Sequence, residues 1–171
     1  MSRTKTNGSA SSGVFTMTSS AVHVVCPSCG AINRTPPDRP AKQAKCGTCH
    51  QKLFSGKPAV ANAAAFERHI TRNDIPVIVD FWAAWCGPCL AMAPAYERAA
   101  AELEPDFRLL KVNTEEEPTL AARYGIRSIP TLMLFMGGRE IARRAGASDV
   151  RGIVSWAKTQ ITAERAATGA N

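Results

Sequence analysis

The sequence predicts an α/β fold of about 110 residues whose sheet is closed by a hairpin, preceded by a small module built on four cysteines. Three observations carry this expectation. Cys26/Cys29 and Cys46/Cys49 form two C-x-x-C pairs sixteen residues apart. From about residue 58 onward, apolar strand-like runs alternate with amphipathic helical ones in the order βαβαβαββα. Charge divides at the same place: residues 1–57 carry eight Lys/Arg against Asp38 alone, so the whole net excess of +7 belongs to the first third.

The opening stretch, residues 1–21, is rich in Ser, Thr and Gly, contains Arg3 and Lys5, and lacks the apolar core of a secretory signal. It reads as a disordered tail, and Met17 reads equally well as the start, because nothing before it looks structural. No apolar run approaches eighteen residues, so no membrane span is expected. The default expectation is a cytoplasmic monomer.

Residues 22–57 hold too few large apolar side chains to fold unaided, and "NRTPPDRPAKQ" in their middle is polar and proline-rich. Two thiolates on each of two tight turns supply the four corners of a tetrahedron, which is the pattern of a structural Zn²⁺ site held by Cys26, Cys29, Cys46 and Cys49. One such ion contributes about 10–16 kcal/mol at neutral pH, enough to organise a piece of this size. His23 and His50 flank the pairs but are expected on the surface, since four cysteines close the shell. Nucleic acid is disfavoured as a partner: the basic residues are scattered, and Phe54 is the only aromatic in the module.

The second module is expected over 58–163, with a disordered tail over 164–171. "AAAFERHITR" (63–72) fits a short helix, and "IPVIVDFWA" (75–83) a strand buried on both faces. A helix from Cys86 to about Leu103 should be interrupted at Pro94. "FRLLKVNT" (107–114) is a strand, and "PTLAARYG" (118–125) a short helix ended by Gly125. "TLMLFM" and "REIARRA" form a hairpin around Gly137-Gly138. Ser148 is expected to cap the last amphipathic helix.

The third pair, Cys86/Cys89, has no fourth pair to join, and a dithiol in an α/β domain points to redox chemistry. Cys86 falls where strand gives way to helix, so its sulfur meets unpaired amides and the positive end of the helix dipole, both favouring thiolate. Cys89 follows three residues later on the same helix face.

"VDFWAAWCGPC", "YGIRSIPTLMLF" and "GGREIARRAGA" resemble the corresponding segments of the thioredoxin family across residues 58–163. The upstream "VCPSCGAINRTP" and "KCGTCHQKLFSGK" resemble the zinc-bearing N-terminal extension of the second bacterial type in that family. The resemblance implies the thioredoxin fold, a central mixed sheet flanked by helices, and a disulfide reductase that bears no organic cofactor. It implies Cys86 as an exposed nucleophile, Cys89 as a sheltered resolving thiol, and the two as a redox disulfide. Asp80, a carboxylate inside an apolar strand, would lie beneath the pair with a raised pKa and take the Cys89 proton, with Lys111 as its partner. Pro130 would be a cis-proline facing the pair, and Ile129 would offer its backbone to an extended substrate segment. Trp85, Gly87, Pro88, Gly146 and Ala147 would complete the substrate rim. A flavin-dependent, NADPH-consuming thioredoxin reductase would recharge the couple. One departure is Leu90, where many thioredoxins carry a cation; this bears on partner choice.

Plainer readings stand beside these. Asp80 could cap a helix end, Lys111 could be a surface cation, and Trp85 a structural aromatic. Two rival functions also remain open at this stage: a zinc-ribbon adaptor using the second domain as scaffold, and a redox sensor whose ribbon thiols release metal on oxidation.

Overall fold

The computed structural model describes residues 20–169. The N-terminal tail up to Ser19, including Met17, and residues 170–171 lie outside the described residues. The chain begins with an antiparallel hairpin, β1 (Val22–Val25) and β2 (Ile32–Thr35), in register Val22 to Thr35 and Val25 to Ile32. A 3-10 turn, Ala41–Gln43, and a bridge between Lys45 and Lys52 complete the ribbon. Val24, Cys26, Cys46, Leu53 and Phe54 form its own small core, to which Ile75 of the following domain adds.

The larger domain follows as β3 (Ala59–Val60), α1 (Ala63–Arg72), β4 (Val77–Trp82), α2 (Gly87–Leu103), β5 (Arg108–Asn113), α3 (Pro118–Arg123), β6 (Thr131–Met136), β7 (Arg139–Ala145) and α4 (Val150–Thr168). The sheet order is β3-β5-β4-β6-β7. β5 runs parallel to β3 and β4, while β6 and β7 are antiparallel additions, so the sheet is mixed. β3, which the order implied without a residue range, is only two residues long.

Strand alternation sends residues to two cores. On one face Ile78, Leu109 and Leu132 pack with Tyr96 of α2 and Ile153 of α4. On the other, Val79, Phe81, Val112 and Met133 pack with Phe66 of α1. Asp80 and Trp82 follow Ile78 at intervals of two, so they share the face covered by α2. This placement puts a carboxylate on the α2 side of the sheet.

Three expectations change. α2 is one unbroken helix through Pro94. The missing N–H removes one helical hydrogen bond, but buried Met92, Tyr96, Ala99 and Ala100 hold both halves against the sheet. Asp149, not Ser148, caps α4: its carboxylate accepts from the Gly152 amide at 2.7 Å, a charge well placed at a helix N-terminus. Residues 164–168 are helix rather than tail, and Glu164 pairs with Arg139 at 2.7 Å.

The ribbon is docked by specific polar contacts. Val25 donates its amide to Asn73 Oδ1 (2.8 Å), and Asp74 holds both the amide (2.7 Å) and Nδ1 (2.9 Å) of His23. Arg68 Nε donates to the Gly30 carbonyl. Gly56 donates to Glu104 (2.6 Å), and Arg108 donates to the Leu53 carbonyl (2.6 Å). Asn73 and Asp74 precede β4, Glu104 follows α2, and Arg108 opens β5. The ribbon therefore sits at the N-terminal ends of the parallel strands, whereas Cys86 follows the C-terminal end of β4.

Candidate active site and metal centre

Cys86 is the N-cap of α2, and Gly87 and Pro88 form the helix's first turn. A disulfide joins Cys86 to Cys89, with Cα atoms 5.3 Å apart. Cys86 Sγ accepts the Cys89 amide at 3.2 Å and lies 3.7 Å from the Ile129 carbonyl. The helix terminus thus directs an N–H at the sulfur, which stabilises negative charge there. The expected contrast between an exposed Cys86 and a sheltered Cys89 is absent in this oxidised form: the residues are 3% and 2% exposed. Bonded to each other, both sulfurs pack with Ala83, Trp82 and Ile129.

Asp80 is 1% exposed, and its Oδ1 has no hydrogen-bond partner among the described residues. Burial pushes its carboxyl up to about 7, and Lys111 works against that rise. Lys111 is the residue paired with Asp80 across β4 and β5, and its Nζ stands over the Trp82 ring at 4.4 Å. Trp82 Nε1 is likewise buried without a partner. Two unpaired polar atoms thus lie on one strand face, and Trp82 on that face packs against the thiol pair. Tyr96 pins this region by donating toward the carbonyls of Leu110 (2.9 Å) and Ile78 (3.1 Å).

The Ile129–Pro130 bond is cis, and Pro130 is buried. Gly146, at φ +92°, donates its amide to the Pro130 carbonyl at 2.9 Å and so brings the loop after β7 against this turn. Ala147 follows it, exposed. Trp85 is 69% exposed and Leu90 53%, an unusual degree for large apolar side chains. The structure therefore assembles Cys86, Cys89, Ile129, Pro130 and Gly146 in one place, with exposed Trp85, Gly87 and Pro88 beside them.

In the ribbon, the Sγ atoms of Cys26, Cys29, Cys46 and Cys49 all lie within 4.8 Å of one another. The two knuckles repeat one design. Cys26 N–H bonds to Ala31 O at 2.8 Å and Cys46 N–H to Gln51 O at 2.8 Å; Gly30 and His50 each donate back to the first cysteine's carbonyl at 3.0 Å. Gly30 and His50 take the same left-handed conformation, at φ +74° and +62°.

The family model described as Thioredoxin matches residues 57–159, and one described as Thioredoxin 2, N-terminal, matches residues 25–51. The chain belongs to the thioredoxin family. Thioredoxin C-3 of Corynebacterium nephridii is 41% identical over 138 residues, covering 81% of this chain and 94% of that one. Thioredoxin of Porphyra purpurea is 49% identical over 84 residues, covering 49% and 78%. Among solved structures, a mutant thioredoxin from Halobacterium salinarum superposes with a TM-score of 0.56 at 29% identity, covering 61% and 91% of the two chains. Chloroplastic thioredoxin z gives 0.57 at 28%, covering 62% and 96%. Membership makes this thioredoxin a thiol–disulfide oxidoreductase.

The ribbon of this thioredoxin fits Zn²⁺ on its own geometry. Four sulfurs about 2.3 Å from a tetrahedral centre stand about 3.8 Å apart; the Cys26–Cys49 and Cys29–Cys46 pairs are each at 3.6 Å. Amides aim at the sulfurs: Ser28 N–H at Cys26 and Thr48 N–H at Cys46, both at 3.4 Å. Asn33 Nδ2 adds a donor to Cys46 at 3.5 Å. The Cys46 thiol is lowered to about 6, with the Cys49 amide as the largest cause and burial opposing. His23 and His50 lie outside the cluster, as expected.

Three supporting features escape a reading of motifs. Asn33 also accepts the Gly47 amide at 2.9 Å, tying one knuckle to β2. His69, buried and lowered to about 3 by desolvation, faces Asn73 Nδ2 at 3.0 Å. Glu104 and Arg108 form a buried ion pair at 2.9 Å. Arg108 carried a usable signal, a charge at the head of an apolar strand.

Proposed function

We propose that this thioredoxin is a cytoplasmic protein-disulfide reductase that cycles its Cys-Gly-Pro-Cys pair between dithiol and disulfide. The observation that carries the reading is Cys86 at the N-cap of α2, bonded to Cys89 and touching the Ile129 carbonyl beside Pro130. The reduced Cys86 thiolate attacks one sulfur of a substrate disulfide. A Cys86–substrate mixed disulfide forms and one substrate thiolate leaves. Cys89 then gives its proton to Asp80, directly or through a water, and its thiolate attacks Cys86 Sγ. The Cys86–Cys89 disulfide forms, and the second substrate thiolate departs. Two electrons have passed from the dithiol to the substrate. Lys111 moderates the Asp80 pKa, and the backbone at Ile129 pairs with an extended substrate segment. Trp85, Gly87, Pro88, Gly146 and Ala147 form the rim that this segment meets.

Recharging falls to an NADPH-dependent thioredoxin reductase, and the chain works as a monomer with one structural Zn²⁺ on Cys26, Cys29, Cys46 and Cys49. Between the cysteines stand only Gly87 and Pro88, neither of which adds charge to stabilise the thiolate, which supports electron donation over disulfide installation. Insulin-disulfide turnover tests the proposal. Cys86→Ser should abolish turnover, and Cys89→Ser should accumulate a mixed disulfide through Cys86. Turnover surviving Cys86→Ser would overturn Cys86 as the nucleophile, and a native chain that binds partners without reducing insulin, its binding unchanged by Cys86→Ser, would favour the adaptor.

A further inference from the structure

A cavity of about 530 Å³ opens on the ribbon and, among the described residues, is lined by ribbon residues alone. Its floor is buried Leu53; Asn33 and Gln43 contribute polar wall, and Arg34, Arg39 and Lys45 are exposed around it. Among the described residues, no acidic one lines it. Its size falls within the range of about 300–1,000 Å³ typical of ligand sites. Pro36 and Pro40 stiffen one side, so the wall is formed before anything binds.

The charge around this cavity is uncompensated. Lys45 and Lys52 stand directly opposite each other in a β-bridge, an arrangement that destabilises unless an anion relieves it. Among the described residues, Arg34, Arg39, Lys42, Lys45, Lys52 and Lys57 enter no ion pair. What sets the ribbon apart is its balance: residues 22–57 carry six Lys/Arg against Asp38 alone, whereas residues 58–171 carry equal numbers of basic and acidic side chains. Four thiolates and a Zn²⁺ would remove only two charges from this excess.

We infer that this cavity is a docking site for an acidic segment of a partner protein. Carboxylates would satisfy the Arg34, Arg39 and Lys45 cluster, while Asn33 and Gln43 meet backbone or side-chain polar groups and Leu53 accepts an apolar side chain. A single-stranded nucleic acid fits less well. Its affinity comes partly from stacking on aromatics, and Phe54 is buried under Arg108, at 5.0 Å from the guanidinium. The ribbon lies at the opposite end of β4 from Cys86, so a partner held here leaves the thiol pair open. The inference stands independently of the catalytic cycle above.

Fluorescence anisotropy of a labelled hexaglutamate peptide with the full, zinc-loaded chain tests it. Binding should saturate at one peptide per chain and weaken about tenfold or more as salt rises from about 20 to about 200 mM. Arg39→Glu/Lys45→Glu should weaken binding about tenfold beyond Lys57→Glu/Lys158→Glu, which changes net charge equally away from the cavity. Arg39→Gln/Lys45→Gln should weaken it in the same direction, and it serves where charge reversal disturbs folding. All variants should keep insulin turnover. Equal losses in the cavity and control variants, non-saturating binding, or tighter binding of a hexathymidylate would each overturn the assignment.

Discussion

Glu104 and Arg108 form an ion pair at 2.9 Å with side chains 2% and 1% exposed, and each uses a further hydrogen bond on the ribbon's backbone. Burial pushes the Glu104 carboxyl up and the Arg108 guanidinium down, and each opposes the other's shift. Glu104 Oε2 and Arg108 Nη2 have partners only while Gly56 and Leu53 are in place, and Arg108 Nε is buried without one among the described residues. A charged pair of the thioredoxin domain thus depends on the ribbon.

Glu104→Gln leaves the Arg108 cation buried without a counter-charge, which should cost about 3–5 kcal/mol in urea unfolding. The double variant Glu104→Gln/Arg108→Met should be more stable than the single one, since removing both charges removes the orphan. An equal or larger loss in the double variant would show that the pair is not the source.

Asn73 links the same two modules through neutral groups. Asn73→Ala frees the Val25 amide and the His69 ring nitrogen from their partner, while the His69 carbonyl keeps the backbone amide of residue 73 at 3.3 Å. The expected cost is about 1–3 kcal/mol, with faster hydrogen exchange at Val25. Unchanged exchange at that amide would count against the docking role.

Metal removal should be felt across the chain. Chelation releases Cys26, Cys29, Cys46 and Cys49, loosens the ribbon, and so uncovers Arg108 and Glu104. Calorimetry should show the main thermal transition of the thioredoxin domain falling with metal loss, not only a small separate one. A main transition unmoved by chelation would refute the coupling.

Asp80 and His69 give opposite pH dependences. Folding raises the Asp80 carboxyl from 3.8 to about 7, so the native state binds the extra proton and stability falls as pH rises through that window. His69, lowered from 6.5 to about 3, must charge on unfolding, so its contribution falls as pH drops through that window. Each is worth about 4–5 kcal/mol at most, and in the native chain they largely offset. Asp80→Asn should remove one side. Relative to the native chain it should gain stability progressively from about pH 4 to pH 7 and level off above, with its own stability falling below about pH 6.5. A difference between the two chains that stays flat over pH 4–7 would mean Asp80 is not held protonated.

Much of this was readable because the deciding features are local. Cys-x-x-Cys spacing, the Asp80 anomaly, the Gly137-Gly138 turn and alternation of apolar runs all act within a few residues. The ribbon's attachment was not, because it joins positions far apart in sequence: Val25 to Asn73, Gly56 to Glu104, Leu53 to Arg108. No periodicity marks such pairs. Ser148 was favoured as the cap by its hydroxyl, yet the helix starts one residue later and the stronger acceptor, Asp149, takes the Gly152 amide. The shared low exposure of Cys86 and Cys89 follows from their bond to each other, which a residue type alone does not reveal.

His50 shows how far the knuckle's form is set by its ligands and backbone. It adopts the left-handed turn that Gly30 takes in the other loop, and it makes the same bond to the cysteine behind it. A pattern demanding glycine after every second thiol would pass over this loop, so catalogues of such knuckles built on that rule will undercount chains whose twin turns are chemically unlike but superimposable.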